Sequence, residues 1–151
     1  MTLLLPEGGA FTTGVCPCSN RAATKGEWLT RLFVPITVEG IATDAVVDTG
    51  GAYLIPDTET TARLGLDPND SLGAGLLRVR GARYHGALHR VSLAFKPSAG
   101  EGLVVEATAF VPELAPGDVW PLPTYLGWHG CLERLRFAVD PVADQFFFGA
   151  T

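Results

Sequence analysis

Asp48-Thr49-Gly50-Gly51-Ala52 follows the apolar pair Val46-Val47. A carboxylate at the end of a buried strand, then a hydroxyl and two glycines, is poor material for an ordinary turn. It suits a loop that holds an acid at the floor of a cleft for general acid–base work. Two carboxylates about 3 Å apart cannot both ionise easily, so one keeps its proton and the pair can grip a water. The chain has one such loop. Asp44, Asp57, Asp67, Asp70, Asp118, Asp140 and Asp144 all lack a following Thr/Ser-Gly. A pair of these loops therefore needs a second chain, and an isologous homodimer supplies it.

Other chemistries are less well provided. Cys16-Pro17-Cys18 offers redox chemistry, or metal binding together with Cys131 and a histidine. The CxC spacing alone is weak, however, and free thiols are the simpler reading. His85 and His89 flank a hairpin tip and most simply face solvent, while His129 reads as a capping or ion-pairing residue. None of the three histidines has metal spacing, so no metal and no cofactor is assigned. There is no Ser-His-Asp set and no cysteine with a partnered base.

The elements that must position Asp48 are short strands. Leu32–Val38 and Ile41–Val47 form a hairpin around Glu39-Gly40, and Pro35 marks the first strand as edge or irregular. Tyr53-Leu54-Ile55 is a brief strand that stops at Pro56. Asp57 or Thr58 then caps a helix carrying Ala62 and Leu64, which ends at Gly65. Residues 76–80 and 87–95 make a second hairpin, with a turn region over Gly81–Gly86 that frees it to move. Residues 103–111 form another strand, and the proline-rich segment 112–123 separates it from Tyr125-Leu126-Gly127. Residues 131–135 have room for two helical turns at most. Residues 136–139 and 145–148 close the chain as strands about Asp140-Pro141. Phe146-Phe147-Phe148 reads as an apolar strand of the core or of a dimer sheet, and Trp120 and Trp128 as core or interface fillers. Residues 1–27 read as an irregular extension with an edge strand at Leu3–Leu5, and residues 28–151 as one domain.

Bulk properties agree with a single mainly β unit. At 151 residues, 47% hydrophobic and 18% charged, the chain is long enough for one core. Eighteen glycines and eleven prolines supply turns between many short strands. A net charge of −5 leaves no basic stripe for phosphates, so nucleic acid is excluded as the main partner. No apolar run approaches the roughly 18–20 residues of a membrane span. The start Met1-Thr2-Leu3-Leu4-Leu5-Pro6 is no secretory signal, and the chain reads as soluble and cytoplasmic.

The order hairpin, Asp-Thr-Gly loop, short helix, flap-like hairpin, strand, Leu-Gly step resembles the retropepsin-like aspartic proteases, including their single-domain bacterial relatives. The resemblance runs from about Leu32 to Phe148. Its anchors are Val46-Val47-Asp48-Thr49-Gly50-Gly51-Ala52 and Tyr125-Leu126-Gly127-Trp128-His129. It implies a mainly β fold: a closed acid-protease barrel with two short helices and a flap hairpin. It also implies an aspartic endopeptidase in which Asp48 is catalytic. Thr49 would brace the opposite loop across the two-fold axis. Gly50 would let backbone approach the carboxylate, and Leu126 and Gly127 would support the loop through a ψ-shaped strand crossing. The flap tip falls at Arg80, Gly81 and Ala82, and an extended peptide or protein substrate would bind as an added strand. Two departures are plain. Gly51 stands where many relatives carry Ser, Thr or Ala, so a hydroxyl-to-carboxylate bond is missing and the dyad's pKa is expected to rise. His129-Gly130 replaces the polar, acid-containing run usual after the ψ-loop glycine. The competing reading is a retropepsin-fold binding or dimerisation module that has lost catalysis.

Overall fold

Apolar runs punctuated by glycine and proline give twelve strands and one α-helix in the computed structural model, which describes residues 2–151. The strands in chain order are β1 (Gly14–Pro17), β2 (Ser19–Arg21), β3 (Arg31–Val38), β4 (Ile41–Ala52), β5 (Leu54–Ile55), β6 (Gly73–Val79), β7 (Ala82–Phe95), β8 (Ala99–Gly100), β9 (Leu103–Pro112), β10 (Thr124–His129), β11 (Leu135–Asp140) and β12 (Gln145–Ala150). The helix, α1 (Thr58–Leu64), follows β5. Among the described residues no helix is long and apolar enough to cross a membrane.

Eight strands form one sheet in the order β2-β3-β4-β10-β5-β9-β7-β6. Strand β3 also pairs with β7 through Thr37↔Ala94 and Val38↔Leu93, so the sheet curls back on itself. Pro35 sits between the β2 and β7 pairings, where its missing N–H costs no ladder bond. The other four strands make a second sheet, β11-β12-β1-β8. The main core lies between the two. There Phe95 stacks on Phe146 and Phe148 with ring centroids 5.7 and 5.3 Å apart, and Phe137 stacks on Phe146 at 5.6 Å. All three residues of Phe146-Phe147-Phe148 are buried, as an apolar core strand requires.

The segment expected to be irregular over 1–27 contributes an interior strand. Gly14–Pro17 pairs with β12 on one side and, through Gly14 and Val15, with β8 on the other, and it buries Val15 and Cys16. Any side chain at Gly14 would meet the Phe148 ring and the Glu101 carbonyl. Four residues are too few to show a period, and partners more than 80 residues away make them a strand. The edge strand expected at Leu3–Leu5 is reduced to a single bridge, Leu4↔Ala10. Residues 131–135 hold only one 3₁₀ turn, Leu132–Arg134.

Two details of the second hairpin also differ from expectation. Its turn is confined to Arg80-Gly81, with Val79 and Ala82 paired, and β7 starts at once. Both turn residues have positive φ (51° and 82°), as a two-residue type I′ turn requires. Gly86 is not a hinge. It lies opposite Gly75 within the hairpin, and a Cβ there would run into the Val111 carbonyl and the Phe110 ring. The pair of glycines makes room for the fully buried Phe110.

Candidate active site

Asp48 lies near the end of β4, directly opposite Gly127 of the parallel strand β10. The same strand takes β5 on its other edge, with Leu126↔Leu54 and Tyr125↔Ile55 antiparallel. Strand β10 thus runs between two limbs of one continuous segment, and the chain must reverse between them. Tyr53 makes that reversal at φ 65°. Its N–H donates to the His129 carbonyl and its own carbonyl accepts from the Gly127 N–H, both at 2.8 Å. A Cβ on Gly127 would stand 2.5 Å from the Tyr53 oxygen and 2.6 Å from the Ala52 carbonyl carbon, so only glycine fits. Leu126 is fully buried beneath the crossing.

The Asp48 carboxylate folds over its own loop. The Gly50 N–H donates to Oδ1 at 3.2 Å, and a Cβ on Gly51 would come within 2.8 Å of Oδ2. The departure at Gly51 therefore has a geometric counterpart: the carboxylate occupies the space a side chain would take. Thr49 and Gly50 are exposed at the tip, and Ala52 pairs with His129 after a register shift in β10.

A cleft of about 500 Å³ opens above this loop. Val47, Asp48 and Gly51 contribute its floor, and Leu77 to Arg80 bring the β6–β7 hairpin to it. The hairpin tip is tied down. The Arg80 guanidinium pairs with Glu27 at 2.6 Å and reaches the Tyr125 hydroxyl at 3.5 Å. Partial burial pulls the Glu27 carboxyl upward, but the Thr24 amide and the Arg80 charge outweigh it and hold the group below its usual range. Glu27 was invisible in the sequence as a site neighbour, because nothing local connects it to a turn more than 50 residues later. Gly81 and Ala82 share the tip, but neither touches the cleft lining.

Behind the loop sits a polar anchor that no motif announced. Asp57 caps α1, its Oδ1 accepting from the Thr60 N–H at 2.7 Å. Its Oδ2 accepts from Thr43 of β4 at 3.2 Å and from the buried Thr124 of β10 at 3.1 Å. The two strands that frame Asp48 are thereby fastened to one carboxylate. Burial raises the Asp57 pKa, but the Thr60 amide and the two threonine hydroxyls reverse this and hold it below the usual carboxylate range. A carboxyl depressed on folding stabilises above its unfolded pKa of about 3.9 and loses that contribution as pH falls through the folded value. Replacing Asp57 by Ala removes the cap and leaves both hydroxyls short of a partner. The expected loss is about 2–3 kcal/mol at neutral pH. Urea unfolding of both proteins from pH 7 to pH 2 checks this: the gap should hold to about pH 4 and narrow below it.

The remaining candidates fall outside the cleft. His129 pairs with Glu133 at 3.5 Å, in line with an ion-pairing role, and Glu133 also accepts from the Gly130 N–H at 2.7 Å. His85 is exposed, but His89 is buried because the long strand β7 turns that position inward. Trp120 is buried against Tyr84, whereas Trp128 stays half-exposed. Cys16 and Cys131 have thiol pKa values pushed up to about 12, chiefly by burial. Cys18 is raised for the same first cause. A thiolate is the reactive and metal-binding form, so burial works against redox or metal chemistry at these residues. Among the described residues, no three His, Cys, Asp or Glu side chains are grouped to hold a metal ion.

Neither a scan of family models nor a search of curated proteins finds a match. Solved structures do match. A retropepsin-like aspartic protease from Rickettsia conorii aligns over 88% of this chain and 95% of its own, with 18% identity and a TM-score of 0.52. The retroviral protease-like domain of Ddi1 from Leishmania major aligns over 80% and 94%, with 17% identity and a TM-score of 0.48. Sequence identities this low speak to architecture alone. The chain has a retropepsin-like fold.

Proposed function

We propose that this chain is an aspartic endopeptidase whose active site forms when Asp48 of two copies meets across a two-fold axis. The observation that carries the reading is the carboxylate on a glycine loop, at the floor of a cleft and beneath a hairpin. A neighbour named as a retropepsin-like aspartic protease shares the fold, and the curled sheet is read as a closed barrel. The exposed Thr49-Gly50 tip is the natural contact between the two loops, with Thr49 as the cross-axis brace.

In such a dimer the two carboxyls share one proton. The ionised one takes a proton from the bound water as its oxygen attacks the scissile carbonyl carbon, and the protonated one donates to the carbonyl oxygen. The resulting gem-diol collapses as the C–N bond breaks. One carboxyl delivers its proton to the leaving nitrogen, and the other recovers the hydroxyl proton. The Arg80–Gly81–Ala82 tip acts as the flap, releasing its Glu27 and Tyr125 contacts to admit an extended peptide and then closing over it to exclude water. The anchor at Asp57 keeps a depressed pKa, so it outlasts ordinary carboxylate pairs in the acidic range where such a dyad works.

The test is a mixed peptide library incubated from pH 3 to pH 7 at several protein concentrations, with and without a statine-type inhibitor. Cleavage should be blocked by the inhibitor, whose hydroxyl stands in for the gem-diol. The rate per chain should fall on dilution as dimers separate. Sedimentation must find dimers under the active conditions. Cleavage by a strict monomer removes the shared dyad, and a dimer that cleaves nothing leaves a binding module on the same fold.

A further inference from the structure

The cleft is positively charged in a protein that is not. The chain carries −5 overall, yet Asp48 is the only acid among the cleft-lining residues, against Arg31, Arg78 and Arg80. Among the described residues, three of the nine arginines meet carboxylates, two of them outside the cleft: Arg21 pairs with Asp44 at 2.9 Å, and Arg90 pairs with Glu106. Arg80 is also engaged, by Glu27. Arg31 and Arg78 differ. Each lines the cleft, and among the described residues neither has a carboxylate within ion-pair distance. They come from separate elements, the first residue of β3 and the penultimate residue of β6. Two elements thus each bring to one cleft an exposed arginine with no carboxylate partner.

Guanidinium groups bind carboxylates through a planar two-pronged fork, and a recessed cleft focuses their field on whatever enters. In the dimeric enzyme the two unengaged arginines and their symmetry mates outnumber the single negative charge of a half-protonated dyad. We propose that the cleft selects acidic peptides, with Asp or Glu side chains close to the scissile bond contacted by Arg31 and Arg78. The inference rests on the endopeptidase reading for its chemistry, though not for its charge.

Two peptides differing only in Glu or Gln at the positions flanking a mapped scissile bond provide the test. The wild type should favour the Glu peptide in kcat/KM by about tenfold, the size of one charge-assisted hydrogen bond at a partly wet site. That ratio should shrink as salt is raised. It should fall toward unity in the Arg31→Gln, Arg78→Gln double variant and persist in Arg63→Gln, which lies on the helix α1 outside the lining. Equal cleavage of the two peptides by the wild type overturns the selectivity and leaves the endopeptidase standing. If neither peptide is cleaved, fluorescence anisotropy with the Asp48→Asn protein decides the matter. Salt-sensitive preference for the Glu peptide, lost in the double arginine variant, sustains an acid-selective cleft without the protease. Equal binding removes it.

Discussion

Replacing Asp48 by Asn is expected to lower kcat/KM toward its library substrates by about 10³–10⁴-fold, with little change in thermal stability. Asn keeps the side-chain volume, and its amide oxygen can still accept from the Gly50 N–H, so the loop retains its local geometry. The charge disappears, and with it the group that accepts the water's proton. One general acid or base contributes about 10²–10⁴-fold, and in a homodimer the substitution removes both members at once, which places the loss at the upper end. Asp44→Asn, at an exposed acid paired with Arg21, should cleave normally. Mixing adds a sharper readout. If each site needs one Asp48 from each chain, equal amounts of wild-type and variant chains, allowed to re-equilibrate, leave about half of the wild-type chains in productive dimers. Activity per wild-type chain should then fall by about half. Unchanged activity per chain means that each chain carries a complete site, and the dyad is lost as a mechanism.

Features fixed by a few neighbouring residues were legible in the sequence. The helix α1 is capped by Asp57, one of the two residues expected there, and closes on Gly65 in a left-handed conformation. Both are short-range chemistry that residue type announces. The Glu39-Gly40 turn, the delivery of Asp48 by the second strand and the apolar Leu126 beside Gly127 belong to the same class. What the sequence hid depends on distant partners. Strand β1 exists because β12 and β8 flank it, and His89 is buried because it shares the inward face of β7 with Val91, Leu93 and Phe95. Thr43 and Thr124 look like ordinary strand residues 81 positions apart until Asp57 gathers them. Glycine was the most ambiguous residue. Gly81 supplies a left-handed turn and Gly86 supplies room for an aromatic ring, and no local pattern separates the two uses.

The same ambiguity gives Gly127→Ala the second largest expected effect. The methyl would lie 2.5 Å from the Tyr53 carbonyl oxygen and 2.9 Å from the Ala52 nitrogen. Both are backbone atoms, so no side chain can swing aside. Either β10 moves away from β4, or residues 52–53 shift with the end of the Asp48 loop. Overpacking of this kind costs about 1–3 kcal/mol. The functional cost is larger, because Gly127 is the register partner of Asp48, and a misplacement of about 1 Å at a reacting group costs on the order of 10²-fold. Gly9→Ala, which meets only the Leu5 side chain at 3.5 Å, should leave both stability and cleavage unchanged. Urea unfolding and kcat/KM on one mapped peptide separate the outcomes. A stable Gly127→Ala protein with normal kcat/KM contradicts the role of the strand crossing in placing Asp48. A loss of activity well beyond the fraction of chains unfolded is the result expected if the crossing holds the carboxylate in position.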